Sequence, residues 1–244
     1  MDQTLVSDIR TRYAEIRGKI DDSARKVGRS PDAVRLVVVS KTHPLETVRA
    51  ALEAGIRDLG ENYAEEAVEK IHAIGVVDGL TWHMIGHVQS RKADLVAQNF
   101  NFMHSLDSLK LAIRLERFAA EAGLILPVLL ECNVSGEESK FGYAAFDPAQ
   151  LETLRLEAQQ IAQLPHLEIR GLMTMPPLYD DAEKTRPFFR RLVELRERLS
   201  KQIPSVNWDE LSMGTSADFV AAVEEGATIV RVGTAILGVR PPKG

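Results

Sequence analysis

Cysteine is nearly missing from this chain of 244 residues, which contains only Cys132. One cysteine cannot form a disulfide within the chain, and it excludes a metal site built mainly from thiolates. A chain without disulfides suits a reducing compartment, so we expect a cytoplasmic protein. Cys132 stands in an apolar segment, which predicts a buried and unreactive thiol.

Long hydrophobic runs and an excess of positive charge are missing as well. No stretch approaches the roughly 18 consecutive apolar residues that indicate a transmembrane helix, and the N-terminal segment lacks the apolar core of a signal peptide. The 30 Lys and Arg residues are outnumbered by 35 Asp and Glu, which gives a net charge of -5. We therefore expect neither a membrane nor a nucleic acid as partner.

What the chain does contain is a regular alternation of strand and helix signals. Short apolar runs rich in β-branched residues alternate with segments of helical periodicity, after an additional first helix over residues 4–27. The eight predicted strands cover residues 35–41, 56–62, 81–86, 100–106, 125–135, 167–175, 206–214 and 227–233. Each is followed by a helix or a helical turn.

Strict alternation of this kind predicts an α/β protein with parallel strands and right-handed crossovers. Eight units favour closure into a (β/α)8 TIM barrel, which needs roughly 250 residues, and we expect residues 1–244 to form one such domain. An open, doubly wound sheet is the alternative. No G-x-G-x-x-G follows the first strand, which weakens the dinucleotide-binding version of that sheet.

In a barrel of this class, functional residues lie at the carboxyl ends of the strands. Lys41 ends the first predicted strand and shares one face with Val37 and Val39, because side chains alternate with period two. Desolvation at the barrel mouth would lower its pKa and yield the nucleophilic amine that imine formation requires. A surface lysine is the alternative. Asp107, near another strand end, is interpreted as a helix cap.

Two loops follow the last two strands. The first, from Ser212 to Asp218, brings small residues to the start of a helix, with Ser216 as its expected N-cap. The second, from Arg231 to Ala235, places Gly233 before a helical turn. Barrels frequently bind phosphate with the loops after strands seven and eight, although ordinary turns would read similarly. An amine and a phosphate site at one barrel mouth suit a phosphorylated aldehyde, and pyridoxal 5'-phosphate is the obvious candidate.

At this point the motifs resemble those of a known family, the pyridoxal phosphate homeostasis proteins. The similarity runs from the first strand to the end of the chain. Its carriers are Val39-Ser40-Lys41-Thr42, Gly60-Glu61-Asn62-Tyr63, Trp82-His83-Met84-Ile85-Gly86, Gly171-Leu172-Met173-Thr174-Met175, Leu211-Ser212-Met213-Gly214 with Ser216-Ala217-Asp218, and Arg231-Val232-Gly233-Thr234-Ala235. The resemblance implies a fold-type III barrel like the N-terminal domain of alanine racemase, bound pyridoxal phosphate, and no established reaction.

The resemblance also implies roles for single residues. Lys41 matches the Schiff-base lysine, Arg231 the residue facing the pyridine nitrogen, and Asn62 a residue beside the ring. The phosphate loops are matched by Ser212, Gly214, Thr215, Ser216, Gly233 and Thr234. Thr215 stands where the family usually has methionine; it retains a backbone N–H, so phosphate binding should survive. Arg91 replaces a usual asparagine after the third strand.

The expected function is a carrier of pyridoxal phosphate rather than a catalyst. A protonated arginine facing the pyridine nitrogen would keep it unprotonated, and the ring would be a weaker electron sink. No second catalytic domain is expected, so we predict a monomer that exchanges the cofactor with apo-enzymes or amino acids. The alternatives are an amino-acid racemase, an aldolase that uses Lys41, and a cofactor-free interaction module.

Overall fold

Eight parallel strands close into a barrel in the computed structural model, which describes residues 2–137 and 140–240. The ring is complete because the last strand pairs with the first and the fourth pairs with the fifth. The barrel strands are β1 (Arg35–Val39), β2 (Asp58–Glu61), β3 (Thr81–Met84), β4 (Phe102–Leu106), β5 (Leu126–Asn133), β7 (Leu167–Met173), β8 (Glu210–Ser212) and β9 (Ile229–Val232). The predicted (β/α)8 barrel is confirmed.

One short strand outside the ring was not predicted. This strand, β6 (Tyr143–Ala144), pairs with Cys132 and Asn133 at the carboxyl end of β5. Two residues are too few to show an alternation of apolar and polar side chains, so the sequence carries no signal for it. Its effect is to extend the sheet beyond the barrel at the rim above β5.

Helices connect the strands, and an additional helix precedes them. The helices are α1 (Gln3–Lys26), α2 (Leu45–Glu53), α3 (Ala64–Ile74), α4 (Ala93–Asn99), α5 (Leu109–Ala122), α6 (Pro148–Ile161), α7 (Arg186–Gln202), α8 (Phe219–Glu224) and α9 (Thr234–Leu237). Asp2 caps α1 by accepting a hydrogen bond from the Thr4 amide at 2.9 Å. Ile9, Ile16 and Ile20 are buried where α1 packs against α2, α8 and α9, so the predicted first helix is confirmed.

The alternation of side chains along the strands separates two cores. On β1, Leu36 and Val38 belong to the large outer core shared with the helices, whereas Val37 points into the barrel. The interior apolar cluster is small and consists of Val37, Phe102, Leu129, Met173 and Ile229. Polar side chains occupy much of the remaining interior, so hydrogen bonds, and not only apolar contacts, connect the barrel floor to its mouth.

The described helices are all too short or too polar to cross a membrane. Several strands are shorter than predicted; β8, for example, has only the residues from Glu210 to Ser212. The shortening matters most at β1, because the strand ends at Val39 and leaves Lys41 in the following turn.

Candidate functional site

A cavity of about 500 Å³ opens at the carboxyl ends of the strands. It is lined by Val39, Lys41, Asn62, Ile85, Met175, Leu178, Thr215, Ser216, Ala217, Arg231, Gly233, Thr234 and Arg240. The structure thus brings together every predicted site residue except Ser212 and Gly214. Arg91 lies elsewhere, in an exposed 3-10 turn where it donates to the Gln89 side chain at 3.0 Å.

Lys41 projects into this cavity from a constrained turn, which corrects the expectation that it ends the strand. The next residue, Thr42, has a φ of 61°, a left-handed conformation that a β-branched residue rarely adopts. The Thr42 amide donates to Glu66 Oε1 at 2.7 Å, which holds the turn in place. Burial lowers the pKa of Lys41, and Arg240 lowers it further, whereas Glu61 raises it. The lowered pKa agrees with a nucleophilic amine.

Behind that turn lies a buried charged cluster that the sequence analysis did not identify. Glu61 is fully buried, and its Oε1 accepts hydrogen bonds from Ser40 Oγ at 2.7 Å and from Lys70 Nζ at 2.9 Å. Lys70 also donates to Ser40 O at 2.9 Å and to Glu66 Oε1 at 2.6 Å. Since Glu66 holds the Thr42 amide as well, the cluster fixes the backbone that carries Lys41.

The loop after β8 depends on a glycine. Gly214 has a φ of +95°, and a Cβ there would lie 2.5 Å from the Cβ of Ala222. The following amide, that of Thr215, donates to Asp218 Oδ1 at 2.6 Å, and the Thr215 hydroxyl donates to the same oxygen at 3.0 Å. Ser216 is therefore not the N-cap: α8 begins at Phe219, because the Asp218 side chain organises a turn before the helix.

The two small-residue loops meet at the cavity wall. The Gly233 amide donates to Ser216 Oγ at 3.4 Å, which joins the loop after β8 to the loop after β9. The amides of Ser216, Ala217 and Thr234 have no hydrogen-bond partner within residues 2–137 and 140–240. Unpaired amides on one wall form a cradle for an anion, and this cradle faces the same space as Lys41.

Arg231 lies at the base of the cavity and is almost fully buried, at 3% exposure. Its guanidinium donates to Ser212 Oγ at 2.5 Å, to Thr174 O at 3.0 Å and to Met175 Sδ at 2.9 Å. Burial lowers its pKa to about 10, although Asp218 and Glu131 oppose that effect, so Arg231 is protonated at neutral pH. Ser212 lies beneath it and supports the guanidinium instead of lining the cavity.

A chain of hydrogen bonds continues from Ser212 to the floor of the barrel. His104 Nδ1 lies 2.9 Å from Ser212 Oγ, His83 Nδ1 lies 2.9 Å from His104 Nε2, and His83 Nε2 lies 3.0 Å from Asp58 Oδ1. Burial lowers the pKa of both imidazoles, that of His104 well below its ordinary value, so both are neutral.

One arrangement of protons satisfies this chain. A carboxylate only accepts, so His83 Nε2 carries the hydrogen that it donates to Asp58. The neutral His83 then accepts from His104 at Nδ1, and the neutral His104 accepts from the Ser212 hydroxyl. Every donor from Arg231 to Asp58 therefore points toward the barrel floor. The structure places His83 inside the barrel, where it is fully buried.

A second cavity, of about 480 Å³, adjoins the first and shares Asn62, Ile85 and Met175 with it. Asn62 Oδ1 is buried without a partner in the part of the chain that the structure describes. The second cavity is also lined by Glu131, which the sequence analysis missed. Its position could have been inferred, because Glu131 shares the inward face of β5 with Leu129.

Two further expectations concern residues near these cavities. Asp107 does not cap a helix: Ser108 caps α5, and Asp107 Oδ2 instead lies 2.9 Å from His87 Nδ1. Cys132 is buried as expected, and burial raises the pKa of its thiol, which disfavours the reactive thiolate. The described residues contain no group of three or more His, Cys, Asp or Glu side chains suited to a metal ion.

Comparisons with known proteins agree with this architecture. The sequence pattern of the alanine racemase N-terminal domain family matches residues 14–241. A pyridoxal phosphate homeostasis protein of Vibrio cholerae is 41% identical over 235 residues, which are 95% of this chain and 96% of that protein. The solved structure of PipY from Synechococcus elongatus PCC7942 with PLP bound is 38% identical and has a TM-score of 0.81. The alignment covers 94% of this chain and 100% of that chain.

An alanine racemase of Clostridium difficile is a more distant neighbour. It is 15% identical with a TM-score of 0.69, and the alignment covers 97% of this chain but 58% of that one. Similarity at this level shows a common fold only. The chain belongs to the alanine racemase N-terminal domain family and, within it, to the pyridoxal phosphate homeostasis proteins.

Proposed function

We propose that this chain binds pyridoxal 5'-phosphate at the barrel mouth and serves as a carrier in intracellular pyridoxal phosphate homeostasis. The observation that carries the proposal is the single cavity of about 500 Å³ that Lys41 and both small-residue loops line. Ligand sites of drug size occupy cavities of roughly 300–1,000 Å³, so the space suits one such molecule. In this proposal Lys41 holds the cofactor as a Schiff base.

The anion cradle fits the phosphate. The unpaired amides of Ser216, Ala217 and Thr234 would accept a phosphate dianion, as oriented backbone N–H groups do in other phosphate sites. Gly233 lets the loop after β9 pack closely against β1, because a Cβ there would lie 3.1 Å from Val39 O. Gly214 and Thr215 shape the loop, since the Thr215 amide is already engaged by Asp218.

The remaining groups fit the ring. Asn62 Oδ1, buried and unpaired in the described structure, would accept a hydrogen bond beside it. Arg231, supported by Ser212, would present a protonated donor to the pyridine nitrogen and keep it unprotonated. When bound, pyridoxal phosphate supplies an aldehyde that condenses with primary amines. An unprotonated pyridine makes that ring a weak electron sink, which favours holding the aldehyde over transforming an amino acid.

We also propose the oligomeric state, the location and the activity of this carrier. A carrier of this type would act as a monomer in the cytoplasm, would have no robust catalytic activity, and would deliver pyridoxal phosphate to apo-enzymes. Relatives of this chain are named homeostasis proteins, which supports a carrier more than a racemase. We propose one functional unit over residues 1–244, with the cofactor bound at the barrel mouth.

A visible absorption spectrum of the purified protein tests this proposal. Wild-type protein should gain an absorption band on addition of pyridoxal phosphate, and borohydride reduction followed by peptide mapping should place the label on Lys41. Lys41→Ala should abolish the band, whereas Lys110→Ala, which changes an exposed lysine on α5, should keep it. Wild-type protein that stays colourless would overturn the binding proposal. Exchange of amino-acid α-hydrogens into deuterated solvent at catalytic rates would overturn the carrier role.

A further inference from the structure

Glu131 is a buried carboxyl group without a protein partner for one of its oxygens. The residue is 8% exposed, and Oε2 makes no hydrogen bond in the part of the chain that the structure describes. Its neighbour along the inward face of β5, Leu129, belongs to the interior apolar cluster, so the side chain of Glu131 points toward the barrel mouth. A buried acceptor without a partner is unfavourable, and such groups ordinarily have a ligand or a water as partner.

The space beside Glu131 is the second cavity, of about 480 Å³. Asn62, Ile85 and Met175 form the wall that this cavity shares with the Lys41 cavity. A ligand in the second cavity would therefore lie directly beside a cofactor bound to Lys41. The second cavity has its own outer rim, where Phe141 is 57% exposed and stacks on His87 with ring centroids 3.9 Å apart.

The charges around the second cavity favour a cation next to Glu131. Burial and, to a smaller extent, the nearby Asp107 raise the pKa of Glu131 to about 7, against the opposing effect of Arg231 and Lys140. Neither cation is hydrogen-bonded to Oε2. Lys140 lines the same cavity; among the described residues it donates to Pro176 O at 3.4 Å and pairs with Glu137 Oε2 at 3.9 Å. The cavity thus offers an unpaired carboxyl group deep inside and an ammonium group, that of Lys140, on the same lining.

We propose that the second cavity binds a primary ammonium group, which donates to the free Oε2 of Glu131. Two sources share this chemistry: a free α-amino acid, and the side chain of a lysine presented by another protein. A free amino acid would in addition place its carboxylate against Lys140. A metal ion is not favoured, because the described residues provide no cluster of three ligands, and an anion would be repelled by Glu131.

The purpose of this cavity rests on the proposed function. A carrier that holds an aldehyde on Lys41 needs an amine to take it away, and the second cavity places that amine next to the wall formed by Asn62 and Met175. The binding itself does not depend on the cofactor. It can be measured on protein without pyridoxal phosphate, so failure of this inference and failure of the proposed function give different results.

The experiment is a titration of cofactor-free Lys41→Ala protein, followed by NMR or calorimetry. The probes are L-alanine, Nα-acetyl-lysine methylamide, which has an ammonium but no carboxylate, and N-acetylalanine, which has no ammonium. We expect L-alanine or the lysine derivative to bind and N-acetylalanine not to bind. Adding Glu131→Gln should weaken binding by about tenfold or more, because the hydrogen bond to a charged acceptor is lost.

Further variants separate the sources and control for folding. Lys140→Met should weaken the binding of L-alanine and leave the binding of the lysine derivative unchanged. Glu121→Gln, on the exposed face of α5, should change the binding of neither probe. If Glu131→Gln unfolds the protein, Glu131→Asp tests the same point: it keeps the charge but withdraws the carboxylate by one methylene, so binding should weaken. No binding by either amine, or equal binding after loss of the Glu131 carboxylate, would overturn the inference.

Discussion

His83 Nδ1 and His104 Nε2 lie 2.9 Å apart inside the barrel, on two imidazole rings that solvent does not reach. The rings meet edge to face, with centroids 5.1 Å apart, and they join β3 to β4. Through Ser212 on one side and Asp58 on the other, this pair connects the cation at the cavity base to an anion at the barrel floor. The position of Arg231 therefore depends on residues that never contact the cavity.

Ser212→Ala tests that dependence. The change removes the group that accepts from Arg231 and donates to His104, and it leaves both partners buried with one unpaired atom. We expect the free energy of unfolding to fall by about 1–3 kcal/mol, measured by urea denaturation. Affinity for pyridoxal phosphate should fall too, since the guanidinium loses a fixed partner. Ser205→Ala, at an exposed position, should change the free energy of unfolding by no more than about 0.5 kcal/mol. An equal effect of both changes would contradict the role of Ser212 in the hydrogen-bond chain.

Glu131 should make stability depend on pH. Its pKa in the folded protein is raised to about 7 from an ordinary 4.5, so folding favours the protonated form. The stability it contributes is present below pH 4.5 and is lost as the pH rises through about 7. This pKa difference between the folded and unfolded protein corresponds to roughly 3 kcal/mol of stability, because one pKa unit is about 1.4 kcal/mol.

The measurement compares urea unfolding of wild type and Glu131→Gln at pH 5 and pH 8. Glutamine cannot ionise, so the wild type should become less stable than the variant as the pH rises. A constant difference between the two proteins across this range would show that the folded protein does not raise the pKa of Glu131. A ligand amine added at pH 8 should restore part of the lost stability in the wild type alone.

Lys70→Met should be the most damaging single change behind the Lys41 turn. It removes the cation that neutralises the fully buried Glu61, and breaking a buried ion pair from one side costs about 3–5 kcal/mol. Lys26→Met is the matched control, because the Lys26 side chain is 70% exposed in its pair with Glu224 and such pairs contribute about 1 kcal/mol or less. Thermal or urea unfolding distinguishes the two. Similar losses would mean that Lys70 acts as a surface charge.

Gly214→Ala tests the tight approach between the phosphate loop and α8. Both Gly214 and Gly123 have positive φ, at 95° and 65°, so alanine is conformationally strained at either position. Only at Gly214 would the new methyl collide with a neighbour, Ala222, because Gly123 has open space around it. We expect Gly123→Ala to lower the free energy of unfolding by about 1 kcal/mol, and Gly214→Ala to lower it by about 1–3 kcal/mol more. Urea unfolding measures both changes. Equal losses would remove the packing argument.

Much of the fold and the lining of the cavity followed from sequence pattern. Alternation placed Val37 and Lys41 on the inward side, although β1 stops at Val39. The prediction survives because the Ser40 amide still donates to Gly60 O, so the extended backbone continues for one residue before the turn. Small residues after β8 and β9 indicated the two loops correctly, since only such residues permit close backbone approach.

What the pattern could not provide is contact across the barrel. His104 and Ser212 are 108 residues apart in sequence, and their hydrogen bond depends on strand register that no local periodicity specifies. The start of α8 was misplaced for a local reason: Asp218 takes the Thr215 amide into a turn that competes with helix formation. The cluster of Glu61 and Lys70 was missed because a charged residue at the end of a strand or within a helix ordinarily indicates a surface position.

The chain of hydrogen bonds from Arg231 to Asp58 also limits how this barrel can be redesigned. Replacing His83, His104 or Ser212 alone leaves its neighbours with an orphaned donor or acceptor, so each single change is worse than its size suggests. The energetic effects of such changes will not add, because all three belong to one network. An apolar interior would therefore require the simultaneous replacement of His83, His104 and Ser212, together with a new hydrogen-bond partner for Arg231.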